Sequence, residues 1–304
     1  MLDEAHEHRL EDALRLAAGC GAEPSLLLTV ALAFLDADTV DDALEQLIAR
    51  RESIARVASN TPAPPRGLAS APEGPALAGM RLEVADHEIR GRLLFAELGR
   101  QKTFMQVVAL AIAGLELSDE DAGLVEQIAI SVQVADPRIW PLTVVRQAAA
   151  SGRPLGARVI AGIATLSNPY MAAIPVVNFF GVLGRIEAAE AEGSGLETWL
   201  DQVLATGERL PGVGRPVLEG VDERIPPMLE AARRCGRHEG PSVRLALALE
   251  RELMARKGIR LNAAGVLAAL MRDLGFEANA AGAFTLLCLM VPVLMHAALA
   301  ADHG

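Results

Sequence analysis

Aromatic residues are scarce in this chain: 3% of 304 residues, with one tyrosine and two tryptophans. Basic residues are outnumbered too, and the formal net charge is −11. Nucleic-acid binding needs cations to neutralise phosphates and aromatic faces on which bases stack, so these two deficits exclude nucleic acid as a partner class. Three cysteines occur, Cys20, Cys235 and Cys288. Their wide spacing gives neither a disulfide framework nor a metal-ligand pattern, so no metal is expected and a reducing, cytoplasmic setting fits. Histidine is missing from the whole stretch between His87 and His238. His6 and His8, two residues apart on a helix, point apart and read as a solvated face. The N-terminus, "MLDEAHEHRLEDALRL", lacks the basic start and apolar run of a signal peptide.

Hydrophobic residues make up 51% of the chain, enough for a folded protein with a substantial core. Alternating β-branched runs bounded by turn dipeptides are lacking, so no sheet is expected. Almost every segment instead repeats with a helical period, and the fold class is all-α. Residues 3–58 give three helices, one of them capped by Thr39. The stretch 59–79 carries five prolines and reads as an extended linker. Beyond it, Thr103 opens a helix, and Ser118 with Asp121 opens another in the manner of a capping box. Two helices follow near 139–151 and 154–166. An apolar stretch runs on from Met171, and Ser194 with Glu197 caps a helix over 195–206. Four more are expected near 225–236, 240–257, 263–274 and 278–300. Residues 280–301 are long enough to span a bilayer. They contain Pro292 and His296 and lack a basic flank, so a helix buried on all sides, in a helical core or an oligomer interface, is expected in place of a membrane span.

Between these helices lies a loop, "RLPGVGRPVLEGVDER" (209–224). Its Pro-Gly-x-Gly turn, Arg215–Pro216 pair and Asp222-x-Arg224 triplet are of the kind that presents backbone and side chains to a ligand. Arg215, held between Gly214 and Pro216, is a candidate anion anchor.

The order of motifs resembles the citrate synthase superfamily, and its short citryl-CoA-lyase-type members most. "GRLLFAELGRQKTFMQVVALAIAG" and the following helix resemble the early large-domain helices. "ADPRIWPLTVV…SNPYMAA" resembles the approach to the first catalytic histidine, "LPGVGRPVLEGVDER" the loop bearing the second. "LNAAGVLAALMRDLGF" resembles the Asn-x-Asp segment, and "AFTLLCLMVPVLMHAAL" the closing helix. The similarity covers roughly residues 90 to 300. It implies a two-domain helical fold, with a large domain over 81–171 and 263–304, a small domain over 172–262, and an added helical block and linker over 1–80.

In that family an aspartate takes the α-proton of a thioester while histidines hydrogen-bond the enolate and the partner carbonyl. Carried over residue by residue, the first histidine falls on Met171, where Ser-Gly-Pro-x-His-Gly-Gly has become "SNPYMAA". The second falls on Arg215, and the aspartate on Ala264. The substrate histidine near Asp136 falls on Pro137, and the arginine of the closing helix on Leu289. Asp222, Arg224 and Asn262 are kept. No carboxylate lies within six residues of Ala264, so a shift of register does not restore the base.

The resemblance therefore implies a small organic acid or acyl-thioester cleft with Arg215, Arg224 and Asn262 as ligand-binding candidates and without the usual acid–base groups. Residues 280–301, too apolar for a solvated surface, lead to the expectation of a soluble homodimer that buries them, and an active paralogue is a possible second partner. No resident cofactor is expected; a CoA thioester is the implied ligand, though Glu219 stands where the family tends to carry a basic residue for its phosphate end. The alternative is an active carbon–carbon lyase or acyltransferase on another acyl-CoA or carboxylic acid, working with a different residue set. His296 on its apolar stripe reads as a core histidine, and Cys288 as a packed thiol.

Overall fold

The computed structural model describes residues 80–82, 87–133, 139–150, 152–166, 171–214 and 220–299. The helices expected over 3–58, the linker 59–79, Cys20, Pro137, and the segment 215–219 with Arg215 and Glu219 lie outside them.

The described chain is helical, with one small exception at its start. Strands β1 (Met80–Leu82), β2 (His87–Ile89) and β3 (Arg92–Leu93) form an antiparallel sheet in chain order. The register pairs Ile89 with Arg92 and leaves Arg90 and Gly91 as a two-residue turn with φ of 51° and 80°. Positive φ at both positions is the primed hairpin turn. The sequence gives no warning of this sheet: Arg-Gly is not the usual turn pair, and strands of two or three residues are too short to show alternation. Arg90 then donates to the carbonyl of Ala111 and docks the hairpin on the end of the next helix.

Helix α1 (Phe104–Ala113) opens as expected, with Thr103 and Gln106 forming both halves of a capping box. Helix α2 (Asp119–Ser131) opens at Ser118, whose hydroxyl accepts from the Asp121 N–H. Helices α3 (Trp140–Ala150) and α4 (Leu155–Thr165) pack on each other. There follow α5 (Ala173–Ala191), α6 (Gly195–Thr206), α7 (Ile225–Arg234), α8 (Pro241–Lys257), α9 (Ala263–Asp273) and α10 (Ala278–Leu299). One expectation fails here. Ser194 precedes α6 but makes no side-chain cap, because its backbone is already helical (φ −77°, ψ −31°) and points the hydroxyl away. The start of α8 shows the opposite case, a cap from afar: the carboxylate of Asp273 accepts from the N–H groups of Ser242 and Val243.

By contacts the chain divides into two units. One holds α3, α4 and the chain from Val293; the other holds the sheet, α1, α2, α5 to α9, and α10 as far as Pro292. Residues 172–262 thus share a unit with α9, since α9 packs against α5, α7 and α8. That helix is the centre of the second unit: Ala263 and every residue from Gly265 to Met271 are buried, and Ala264 alone in that run is half-buried.

Helix α10 is only partly covered within the single chain. One face is in the core, with Ala281, Phe284 and Cys288 buried. The other presents Val291, Leu294, Met295 and Leu299 at 55, 43, 38 and 58% exposure. This helix is buried on one side only within the chain. It is the one described helix long and apolar enough to cross a membrane by length and composition, a property that core helices share.

Candidate functional site

The Pro-Gly-x-Gly turn is fastened to the start of α9 by backbone chemistry. The N–H of Asn262 donates to the carbonyl of Gly212 (3.0 Å), and the N–H of Gly214 donates to that of Arg260 (2.8 Å), so Val213 and Leu261 form a short antiparallel bridge. Gly212 has φ +75°, and a Cβ there would overlap the ring of Phe179 in α5. Gly265, one turn into α9, meets the Gly212 carbonyl closely enough that a Cβ would overlap it. The turn therefore lies wedged between two parallel helices. Phe179 and Gly265 flank it, and two turns on, Glu187 and Arg272 close a bidentate ion pair between the same helices (both 2.7 Å).

Asn262 caps α9. Its Oδ1 accepts from the N–H groups of Ala264 (3.0 Å) and Gly265 (3.3 Å), while its Nδ2 donates to the carbonyl of Gly214 (3.0 Å). Asp222 completes the cap from the other side of the loop, accepting from the Ala263 N–H at 2.9 Å. The first three N–H groups of the helix are thereby satisfied by two side chains.

Asp222 is 0% exposed. Burial pushes its carboxyl pKa up, but the Arg224 guanidinium and the backbone donors of Ala263 and Arg224 outweigh this, and the pKa lies below its ordinary value. Arg224 reaches it through Nε (2.8 Å) and Nη2 (2.7 Å), and also through its own backbone N–H (3.2 Å). A carboxylate has about four acceptor positions, and here four donors occupy them. A base needs a free lone pair facing its substrate, and Asp222 has none to give. The Nε/Nη2 edge of Arg224 is taken up by Asp222 in the same way. The amide of Asn262 is likewise engaged within the fold.

Met171 and Ala264 put apolar groups at the two described positions where the resemblance implies a histidine and an aspartate. Both are half-buried, and the Ala264 methyl packs against the core. Arg215, at the third position, is outside the described residues. Cys288 is buried, and desolvation pushes its thiol up to about 12, so it is no nucleophile near neutral pH. Leu289 is half-buried beside it, and His296 is half-buried in the last turn of α10. Among the described residues no group of three or more His, Cys, Asp or Glu could hold a metal ion. A surface hollow of about 610 Å³ lies elsewhere, between the start of α6 and α8. Its lining (Ser194, Gly195, Leu196, Glu197, Thr198, Ala248, Arg251 and Glu252) includes none of the candidate ligand-binding or catalytic positions.

Ala172 has φ +60° and ψ −128° at the entrance to α5. An L side chain rarely adopts this conformation, and the resembled motif carries glycine there. Such a residue costs about 1–3 kcal/mol. Ala172→Gly is therefore expected to raise the melting temperature by about 3 °C or more, at about 2–4 °C per kcal/mol for a chain of this size. A melting temperature that stays level or falls in differential scanning calorimetry contradicts the strain.

Sequence reasoning missed two contacts. The bond from Ala263 to Asp222 joins residues 41 apart, and no local pattern signals it. The demand for glycine at 265 comes from the neighbouring turn, although the small residues of "NAAG" hint that something approaches closely.

The family model described as citrate synthase, C-terminal domain, matches residues 143–294, half of the chain. No curated protein matches the chain by sequence. Among solved structures, citryl-CoA lyase from Hydrogenobacter thermophilus has a TM-score of 0.66 at 19% identity, over 74% of this chain and 86% of that one. ATP citrate lyase from Methanosaeta concilii, solved in complex with (3S)-citryl-CoA, gives 0.62 at 18% identity, over 86% of this chain. The matched part spans 50% of that longer protein. Citrate synthase from Thermotoga maritima gives 0.52 at 18%, over 65% of this chain and 52% of that one. At these identities the likeness is one of fold.

Proposed function

The chain belongs to the citrate synthase family, and on that premise we propose that it is a member that binds a small organic acid or acyl thioester without running the family's usual acid–base chemistry. The observation that carries this reading is Asp222. It is the carboxylate bonded beside Ala264, and all its acceptor positions are filled by Arg224 and the α9 backbone. Met171 and Ala264 stand at the implied proton-handling positions, and Asp222, the carboxylate the described structure sets beside Ala264, has its described acceptor positions filled. Loss of a general base costs about 10²–10⁴ in rate, and loss of an oxyanion donor about 10²–10³.

Arg215 is the proposed anchor. A guanidinium keeps its proton at every pH up to about 12, so it cannot serve as a base, but it can hold a carboxylate through two parallel hydrogen bonds. Arg224 is already engaged by Asp222, whereas Arg215 stands in the resembled motif where the second histidine would meet the ligand. The protein is also proposed to be a soluble homodimer. The exposed stripe Val291, Leu294, Met295 and Leu299 supports this, since it repeats along one helix face and a second copy would remove it from water.

One sample tests the whole reading. Native mass spectrometry reports the oligomer and any co-purifying thioester, and assays with acetyl-CoA plus oxaloacetate, or with citryl-CoA, are expected to show no turnover above background. Titration calorimetry with citrate is expected to show binding that Arg215→Ala weakens about tenfold or more, the equivalent of about 1.4 kcal/mol. Citrate formation that a change at Met171 or Ala264 abolishes would overturn the loss of chemistry. Equal citrate binding by wild type and variant, or none by either, would remove the anchor.

A further inference from the structure

An N-cap residue needs one side-chain acceptor, and aspartate or serine supplies it as well as asparagine does. At Asn262 the cap is made by Oδ1 alone, which accepts from the N–H groups of Ala264 and Gly265. The other end of the amide is surplus to that duty. Its Nδ2 donates to the carbonyl of Gly214 at 3.0 Å, joining residues 48 apart in sequence. This bond differs in kind from the two backbone bonds beside it. The Asn262 N–H to the Gly212 carbonyl, and the Gly214 N–H to the Arg260 carbonyl, hold the turn as far as the nitrogen of Gly214. Rotation about the next soft bond, ψ of Gly214, would still swing the carbonyl, and glycine has no Cβ to resist it. The Asn262 amide stops that rotation. A peptide unit is planar, and the Gly214 carbonyl belongs to the unit that continues into Arg215. Holding its oxygen therefore sets the direction in which the chain leaves the turn.

We propose, on the reading that Arg215 is the anion anchor, that Asn262 is the positioning residue of that loop. Its Oδ1 serves the fold by capping α9. Its Nδ2 serves the site, aiming the chain beyond Gly214 through the carbonyl it holds. Asn262 thus acts on the ligand through the loop and not by contact with it.

Asn262→Ser keeps an acceptor for the cap and removes the donor to Gly214. In titration calorimetry it is expected to weaken citrate binding about fivefold, and its melting temperature is expected to fall by about 2–4 °C. Ser118→Ala, which removes the cap of α2, is expected to lower the melting temperature by a similar amount, about 2–4 °C. Its citrate affinity is expected to stay unchanged, which separates positioning from lost stability. In an Arg215→Ala background, Asn262→Ser is expected to cost no further affinity, since no anchor is left to aim. If Asn262→Ser does not fold, Asn262→Asp takes its place as an equally strong cap. The added charge repels citrate with or without Arg215 and so cancels from the cycle. Two failures are told apart. Equal citrate binding by the natural protein and Asn262→Ser, or a loss that persists in full alongside Arg215→Ala, overturns the positioning duty and leaves the anchor standing. No citrate binding by the natural protein, or binding that Arg215→Ala does not weaken, removes the anchor and the positioning with it. Failure of both replacements to fold would make the amide a requirement of the fold alone and would also overturn the inference.

Discussion

Gly265→Ala is expected to be among the most damaging single-methyl changes in the protein. Its new Cβ would overlap the carbonyl of Gly212 and press on Leu261 at 3.1 Å. The obstacle is backbone, which cannot step aside like the end of a flexible side chain. That carbonyl is also the acceptor for Asn262, whose amide caps α9. Moving it strains the Gly212 turn, and the turn is pinned from behind by Phe179. Overpacking in a dense core costs about 1–3 kcal/mol, occasionally more, against about 1 kcal/mol regained when alanine replaces glycine in a helix. With a backbone obstacle the upper end of that cost applies, so the net loss should be about 2 kcal/mol, lowering the melting temperature by about 4–8 °C. Gly123 serves as the control. It sits in α2 with nothing within 4 Å of an added Cβ, so Gly123→Ala should raise the melting temperature. Two Gly→Ala changes of opposite sign, read by calorimetry, test the wedge; a Gly265→Ala protein as stable as the natural one would dismiss it.

The helices were legible in the sequence because their signals are local. Thr103 with Gln106, Ser118 with Asp121, and Pro241 at the first position of α8 each act within a turn of where they stand. The order of motifs was enough to place the chain in its family, a placement the family model supports. The small sheet was not legible, since its hairpin rests on positive φ at Arg90 and Gly91, and arginine does not announce such a turn. Nor was the failed cap at Ser194, where residue type alone suggests a cap that the backbone angle forbids.

Within the candidate site, the sequence marked Asp222, Arg224 and Asn262 as residues that scaffold geometry alone would retain, with Arg224 pairing with Asp222, but not what that geometry is. The structure supplies it. Asn262 and Asp222 are the capping groups of the most buried helix in the second unit, and Arg224 neutralises the carboxylate that burial would otherwise penalise. These side chains are required for the fold whether or not a proton is ever moved. Met171 and Ala264 have no such duty, so histidine and aspartate could be lost from those positions without unfolding the protein. On the proposed reading, that asymmetry is how a chain would keep the frame of the site without its proton-handling groups.

Asp222→Asn tests this division between frame and chemistry. The substitution keeps the shape and removes the charge, leaving a half-buried guanidinium without its counter-ion and turning an NH₂ group toward donors that need an acceptor. Breaking one partner of a buried ion pair costs about 3–5 kcal/mol, so the melting temperature should fall by about 6–20 °C. The pH dependence follows from the sign of the shift. Asp222 titrates below its ordinary value in the folded state, so it is more acidic there than in the unfolded chain. Its stabilisation is therefore fully present above the unfolded carboxyl pKa, about 4, and is lost as pH falls through the folded value. The gap in melting temperature between the natural protein and Asp222→Asn should be widest near pH 6–7 and should narrow below about pH 4. Glu187, also held below its ordinary value by Arg272, titrates in both proteins and cancels from the difference. A gap that is constant across this range would mean that the charge of Asp222 does no stabilising and that its hydrogen-bond shape alone matters. A variant as stable as the natural protein at pH 7 would return Asp222 to the list of groups kept for chemistry.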